Sequence, residues 1–319
     1  MEPMLARALG LVTGFAADRL LGDPAVGHPV AGFGRIARGV EHRVWADDVV
    51  TGAAYTGLLV GGTGAVGTVI AKATRRIPLL RFVATATATW AVLGGRSLGR
   101  EAEAVRGHLA NYDLPAARLR LTHLVGRDTD QLDEGEISRA VVESVAENTS
   151  DAVVAPLLAG AVAGVPGLLV YRAANTLDAM VGHRGERYVR FGWASARLDD
   201  LLNLVPSRVS ALLAALLAPT VGGDTARALR VWRRDAPHHP SPNAGPVEAA
   251  FAGALDVRLG GVNVYEDRVE DRHTLGDGRA LEPGDITRAI RLARQVGMAS
   301  LGVATLIALR PSRPRPADR

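Results

Sequence analysis

Apolar positions in this chain fall into long unbroken runs separated by polar stretches. Residues 49–71 carry no charged side chain, and roughly 20 consecutive apolar residues suffice for a helix to cross a bilayer. Residues 77–95 form a similar run whose one charge, Arg81, lies near its start, where a long side chain can reach back to the interface. The short basic segment Lys72-Ala-Thr-Arg75-Arg76 joins the two, so together they predict a transmembrane hairpin. Residues 152–170 make a third uncharged stretch, and residues 209–223 and 295–309 make two shorter candidates. Residues 9–17 are too short to span alone, and Asp18 and Arg19 follow at once, so no signal-peptide cleavage pattern is present. Buried helices of a soluble protein are the alternative, but a soluble helix as long as the 49–71 run normally shows a polar face.

The third run is interrupted. It contains Pro156, Gly160, Gly164 and then Val165-Pro166-Gly167, and Pro-Gly is a turn dipeptide. This predicts a re-entrant helical hairpin turning near residues 164–167, which is tolerated at membrane depth where protein or a cavity surrounds it. Alternating strand patterns are weak throughout, so the expected fold class is all-α, a polytopic helical membrane protein. Asp285 suits the N-cap of a last helix. Residues 310–319 are proline-rich and charged and read as a disordered tail. The expected organisation is thus one integral membrane unit over residues 1–309 followed by that tail.

Composition refines this picture modestly. The chain has 22% charged residues, close to the soluble average, yet its mean hydropathy is positive at +0.11, because the charges are segregated. There is no cysteine, which excludes disulfides and thiolate metal sites. The formal net charge is only +4, and no basic run interleaved with aromatics occurs, which argues against nucleic-acid binding.

Four polar clusters could carry chemistry. The first runs from Asp18 through Asp23 and Pro24 to His28 and Pro29, where the residue preceding each proline is disfavoured in a helix. The second contains Arg127, Asp128 and Thr129, then Glu143, Glu147, Asn148 and Asp151. Arg139, Glu143, Glu147 and Asp151 recur every fourth residue and so share one helix stripe. Carboxylates massed at a membrane boundary are costly unless something cationic is bound. The third holds Tyr171, Arg172, Asn175 and Asp178 on neighbouring turns. The fourth holds Arg197, Asp199, Asp200, Asn203 and Arg208; adjacent aspartates repel, and a divalent cation or a guanidinium would relieve them. A capping turn or a salt-bridged helix face is the plain alternative for any one cluster. A re-entrant hairpin would bring the third cluster back beside the second.

These clusters, in this order, resemble the CobD/CbiB family of cobalamin biosynthesis, adenosylcobinamide-phosphate synthase. The matching stretches include residues 18–24 with His28-Pro29-Val30, Arg127-Asp128-Thr129, residues 143–157, 171–182 and 191–208, then Ser241-Pro-Asn243-Ala-Gly245 with Glu248, and Leu259-Gly-Gly261 before Tyr265. The resemblance covers most of the chain, each motif being weak alone. It implies a multi-pass enzyme of the bacterial cytoplasmic membrane that attaches (R)-1-amino-2-propanol, or its O-phosphate, to adenosylcobyric acid, with ATP driving amide formation and Mg²⁺ screening the phosphates. Its partners would be the corrinoid, the amine and the lipid bilayer, with a homo-oligomer or a complex with other membrane enzymes of the pathway as further expectations.

On that reading Asp199 and Asp200 are the expected metal ligands, with Glu147 or Asp178 in support. Glu143, Glu147 and Asp178 are the expected catalytic groups, one of the two glutamates taking a proton from the incoming ammonium. Arg172, Arg197 and Arg208 are candidates for phosphate contacts. Asp18, Asp23, His28, Arg127, Asp128, Asn148, Asn175 and Asn203 complete the expected substrate and nucleotide surface. No P-loop motif is present, so nucleotide binding would use another scheme. An AmpE-like regulatory membrane protein and an ion-coupled transporter are the competing readings. The basic turn Lys72–Arg76 favours a cytoplasmic location for that turn, whereas ATP chemistry requires the polar clusters to be cytoplasmic.

Overall fold

The computed structural model describes residues 2–23, 27–183, 185–265 and 268–310. Apart from Arg310, the expected tail lies outside the described residues, as does Pro24 of the first cluster.

Helices α1 (Pro3–Leu21), α3 (Val49–Thr74) and α4 (Pro78–Val92) form one side of an apolar bundle. Asp48 starts α3 by accepting the Thr51 N–H at 2.7 Å. In α1, Gly10 and Gly14 lie directly against Thr85 and Thr89 of α4. Small residues four apart let two membrane helices approach closely, where a side chain would hold them apart. Between these elements, α2 (Pro29–Val44) opens at His28, whose Nδ1 accepts the Val30 N–H at 3.2 Å. The exterior of the bundle is apolar: Val50 and Leu58 of α3 are 75% and 65% exposed. Such a surface suits lipid rather than water.

Helix α7 (Glu134–Thr149) begins with a capping box between Asp133 and Glu136. It passes through a π turn (Ser150–Val154) into α8 (Ala155–Leu177), and a second π turn (Asp178–Gly182) follows. The expected reversal is present inside α8. Gly164 takes φ 64° and ψ −144°, Gly167 packs against Ala159 and Ala163, and Gly160 packs against Leu168, so the two arms lie side by side. The break frees carbonyls, and Arg7 of α1 donates to two of them, Ala161 O at 3.2 Å and Val162 O at 3.4 Å. Among the described residues, three helical stretches are long and apolar enough to cross a membrane: Val49–Thr74, Glu134–Gly182 and Trp193–Val221. The second is the one folded back at Gly164.

The remaining elements build a second, larger core. Helices α5 (Gly95–Ala110) and α6 (Leu114–Leu121), α9 (Trp193–Leu217), α10 (Thr225–Asp235), α11 (Ala244–Leu255) and α12 (Pro283–Ala308) pack with α7 around an alanine- and valine-rich interior. Every residue of α11 is buried. The expected all-α class holds, and one detail is corrected. The N-cap of α12 is Glu282, because Pro283 fits the first helical position; Asp285 sits three residues in and completes a capping box. The helices are accompanied by one small two-stranded antiparallel hairpin, β1 (Leu259–Tyr265) and β2 (Arg268–Leu275). Its glycines and charged residues conceal the alternation that normally marks a strand.

Candidate functional site

The carboxylates of three sequence clusters converge. Glu147 from α7, Asp151 from the first π turn, Asp178 from the second, and Asp199 and Asp200 from α9 line one recess of about 80 Å³, together with Asn203, Ser241 and Asn243. The hairpin is what achieves this, since it returns Asp178 to the level of Asp151. Both π turns fall on the recess, a placement common for this irregularity at functional sites. Neutral groups hold the aspartates in place. Asp199 accepts from Asn203 at 2.9 Å and from Asn175 at 3.3 Å, and Asn203 accepts from the Tyr171 hydroxyl at 2.8 Å. Asp200 pairs with the exposed Arg197 at 3.2 Å. Arg172 donates to Asn175 at 3.4 Å and lies within electrostatic reach of Asp151 and Asp23.

Glu143 shares the stripe of Glu147 but has a different task. Arg127 donates to one of its oxygens at 2.9 Å, while Gly260 N–H, at 2.8 Å, and Arg139 donate to the other. Arg127 and Arg139 also reach Asn263, and Arg139 reaches the Gly260 carbonyl. Glu143 is therefore saturated and ties the strand pair to α7. Glu147 remains free of such bonds and faces the recess.

A larger cleft of about 480 Å³ adjoins the recess and shares Glu147, Asp178 and Asp200 with it. It is also lined by His239 and Arg272, neither of which belongs to the four clusters. Behind these two lies Glu248, fully buried in α11, 3.7 Å from His239 and 3.8 Å from Arg272. Burial, and then the charges of Glu143 and Glu147, push its carboxyl well above the usual range. Burial, and then Arg272, hold the His239 imidazole below its ordinary value. Burial thus favours the neutral form of both His239 and Glu248. One local signal pointed to Glu248: it is the only charge in an otherwise apolar twelve-residue helix.

Other expected residues sit elsewhere. Asp128 is exposed and serves a turn, accepting the Asp130 N–H at 2.9 Å. Asn148 bonds back to Ser144 O at 2.9 Å. Arg208 is exposed and donates to Asn243 at 3.0 Å, at the rim. Asp23 lies 3.5 Å from His28. Asp18 is buried on the opposite side of α7, in a small cavity with Thr149, Val153 and Arg294.

Comparisons with known proteins agree on one family. The family described as CobD/Cbib protein matches residues 11–293. A protein of Mycobacterium tuberculosis named cobalamin biosynthesis protein CobD is 52% identical over 309 residues, covering 96% of this chain and 97% of its own length. Proteins of the same name from Chromobacterium violaceum and Geobacter metallireducens are each 45% identical, over 312 and 282 residues. The first covers 94% of this chain and 97% of its own length, the second 87% and 88%. No solved structure matches.

Proposed function

We propose a reaction for this chain, which belongs to the CobD/CbiB family and acts in cobalamin biosynthesis: ATP-dependent formation of an amide between adenosylcobyric acid and (R)-1-amino-2-propanol or its O-phosphate. The observation that carries this reading is the convergence of five carboxylates in one small recess beside a larger cleft. An ammonium group and a phosphate-bound cation are the complements of such a surface, and the cleft can receive the edge of a large ring carrying a carboxylate.

A carboxylate is a poor acyl donor. Transfer of the terminal phosphoryl group of ATP to its oxygen gives an acyl phosphate and ADP. The incoming ammonium gives up one proton; its nitrogen then attacks the acyl carbon, the carbon–oxygen bond breaks, and phosphate leaves carrying the nitrogen's second proton as hydrogen phosphate. Glu147 is the acceptor for the first proton, because Glu143 is engaged by two arginines and a backbone N–H whereas Glu147 faces the recess. Asp199 and Asp200 are the groups that would hold Mg²⁺. Among the described residues no group of three or more His, Cys, Asp or Glu is arranged to hold a metal; one or two carboxylates suffice for Mg²⁺ when phosphate oxygens supply further ligands, and Asp199 and Asp200 both line the recess. When bound, the ion neutralises charge developing on the transferred phosphoryl group. Asn175 and Asn203 orient Asp199 for that contact. ATP use places the recess on the cytoplasmic face of the bacterial cell membrane, with the basic turn around Lys72 on the other.

The test is an assay with purified protein in detergent, adenosylcobyric acid, either amine, ATP and Mg²⁺, following the corrinoid by mass. A gain equal to the amine minus water, dependent on ATP, is expected. Glu147→Gln should lower kcat about 100-fold or more, the usual contribution of a positioned base. Folded protein giving no product with either amine, or an unchanged Glu147→Gln variant, would overturn the reading or the role respectively.

A further inference from the structure

On the side of α7 away from the acidic recess, a cavity of about 660 Å³ opens between α1, α5 and α12. Four arginines line it: Arg19 at the end of α1, Arg96 and Arg100 in the first turns of α5, and Arg294 on α12. Of the four, only Arg100 has a carboxylate within 4.0 Å among the described residues. Among the described residues, neither Arg19 nor Arg294 has an acid within ion-pair distance. Arg96 donates to the Arg19 carbonyl at 2.6 Å. Arg100 approaches only Glu101, at 4.0 Å, and Glu101 is held at 2.7 Å by Arg120. The one acid on the wall, Glu103, is engaged by Arg106 at 2.9 Å. Asp18, buried beside Arg19 and Arg96, is one counter-charge for four arginines, and like charges gathered in excess of their counter-charge favour a bound anion.

What leads away from these arginines is apolar. On α1, Leu5, Leu9, Val12 and Ala16 are exposed at helical spacing and end one turn short of Arg19. On α12, Met298, Gly302 and Leu306 are exposed at four-residue intervals starting from Arg294. The two helices pack with Phe15 against Gly297, so the stripes run side by side and both end in an arginine at one level. On the other side of the cavity the surface of α5 is polar, with Arg100 and Glu103 exposed. A cationic chamber at the end of a two-stripe apolar track matches a molecule with a phosphate head and hydrocarbon tails.

We propose that this cavity binds the headgroup of an acidic glycerophospholipid, with its acyl chains along the exposed faces of α1 and α12. A soluble phosphate compound would make the same contact with the arginines but would leave the track uncovered. The nucleotide of the amide-forming reaction is the wrong occupant, because the body of α7 separates the chamber from the acids: Val145, Thr149 and Val153 line the small Asp18 cavity that adjoins the chamber, while Glu147 and Asp151 face the opposite way. Basic pockets between membrane helices are a recurring way to hold anionic headgroups.

The test uses the full chain in detergent, titrated with phosphatidylglycerol, phosphatidylcholine or inorganic phosphate, and read by native mass spectrometry and thermal unfolding. Phosphatidylglycerol should be retained and should raise Tm more than phosphatidylcholine does. The variant Arg100→Gln/Arg294→Gln should weaken phosphatidylglycerol binding about 30-fold, the loss expected from two basic groups at about 1 kcal/mol each. Both side chains are exposed, so the variant should keep the wild-type Tm in phosphatidylcholine. If that Tm falls, the single variant Arg294→Gln provides the comparison. Arg230→Gln/Arg233→Gln on α10, elsewhere on the surface, should leave binding unchanged. Equal binding of the two lipids, equal loss in the α10 variant, or protection by inorganic phosphate matching that by phosphatidylglycerol would each overturn the lipid assignment.

Discussion

Glu248 illustrates how one residue can set a property of the whole chain. Its raised carboxyl means that the native state holds this proton more tightly than the unfolded chain does. By linkage, stability is full below the unfolded value, about 4.3, and declines as pH rises from there towards the native value. Glu248→Gln keeps the shape and removes the titration. Its Tm should therefore exceed that of the wild type at pH 8 and match it near pH 4, with a flatter profile between; a variant as pH-sensitive as the wild type would show that the carboxyl does not titrate in this way. Asp285 behaves in the opposite sense. Burial opposes its ionisation, but hydrogen bonds from Arg279, the Glu282 N–H and Arg288 outweigh it and hold its pKa below the usual range. Its contribution is present above the unfolded value and is lost as pH falls through the native one. Asp285→Asn should cost about 2 kcal/mol at neutral pH, measured by chemical unfolding, through charge-assisted bonds to a buried carboxylate.

Among the elements, the turn in α8 was legible from Pro156, Gly164 and Pro166-Gly167, because turns rest on local backbone chemistry that sequence displays directly. The strand pair was not, since its register depends on Glu143, Arg127 and Arg139 reaching across from elements more than one hundred residues earlier. The site divides in the same way. Glu147, Asp178, Asp199 and Asp200 lie in dense local clusters and could be picked out. His239, Arg272 and Asn263 acquire their positions only through tertiary packing. At Gly164 there is room for a methyl group, the nearest atom being Arg7 Nε at 3.7 Å, but φ +64° with ψ −144° belongs almost to glycine alone. Gly164→Ala should therefore destabilise by about 1–3 kcal/mol through backbone strain rather than crowding, which thermal unfolding in detergent will measure. Gly14→Val should do so by crowding, separating α1 from Thr89 of α4.

For the molecule as a whole, the re-entrant hairpin puts positions before and after it on one face. The natural absence of cysteine makes this directly testable. Single variants Asp130→Cys and Glu186→Cys, both at exposed positions, should react with a membrane-impermeant maleimide from the same side, and Arg76→Cys from the opposite side. Labelling of Asp130→Cys and Glu186→Cys from different sides would refute the reversal. Labelling of the first two in inverted vesicles but not in intact cells is the outcome that the cytoplasmic site requires.

Helix α11 is enclosed on every side by α7, α9, α10 and the strand pair. Its amides can meet solvent only when those neighbours separate, and local fraying offers them no shortcut. Their rate of hydrogen exchange therefore reads the free energy of opening the entire second core. The helix that carries Glu248 thus serves as a clock for the molecule, and any ligand that tightens the recess should slow it.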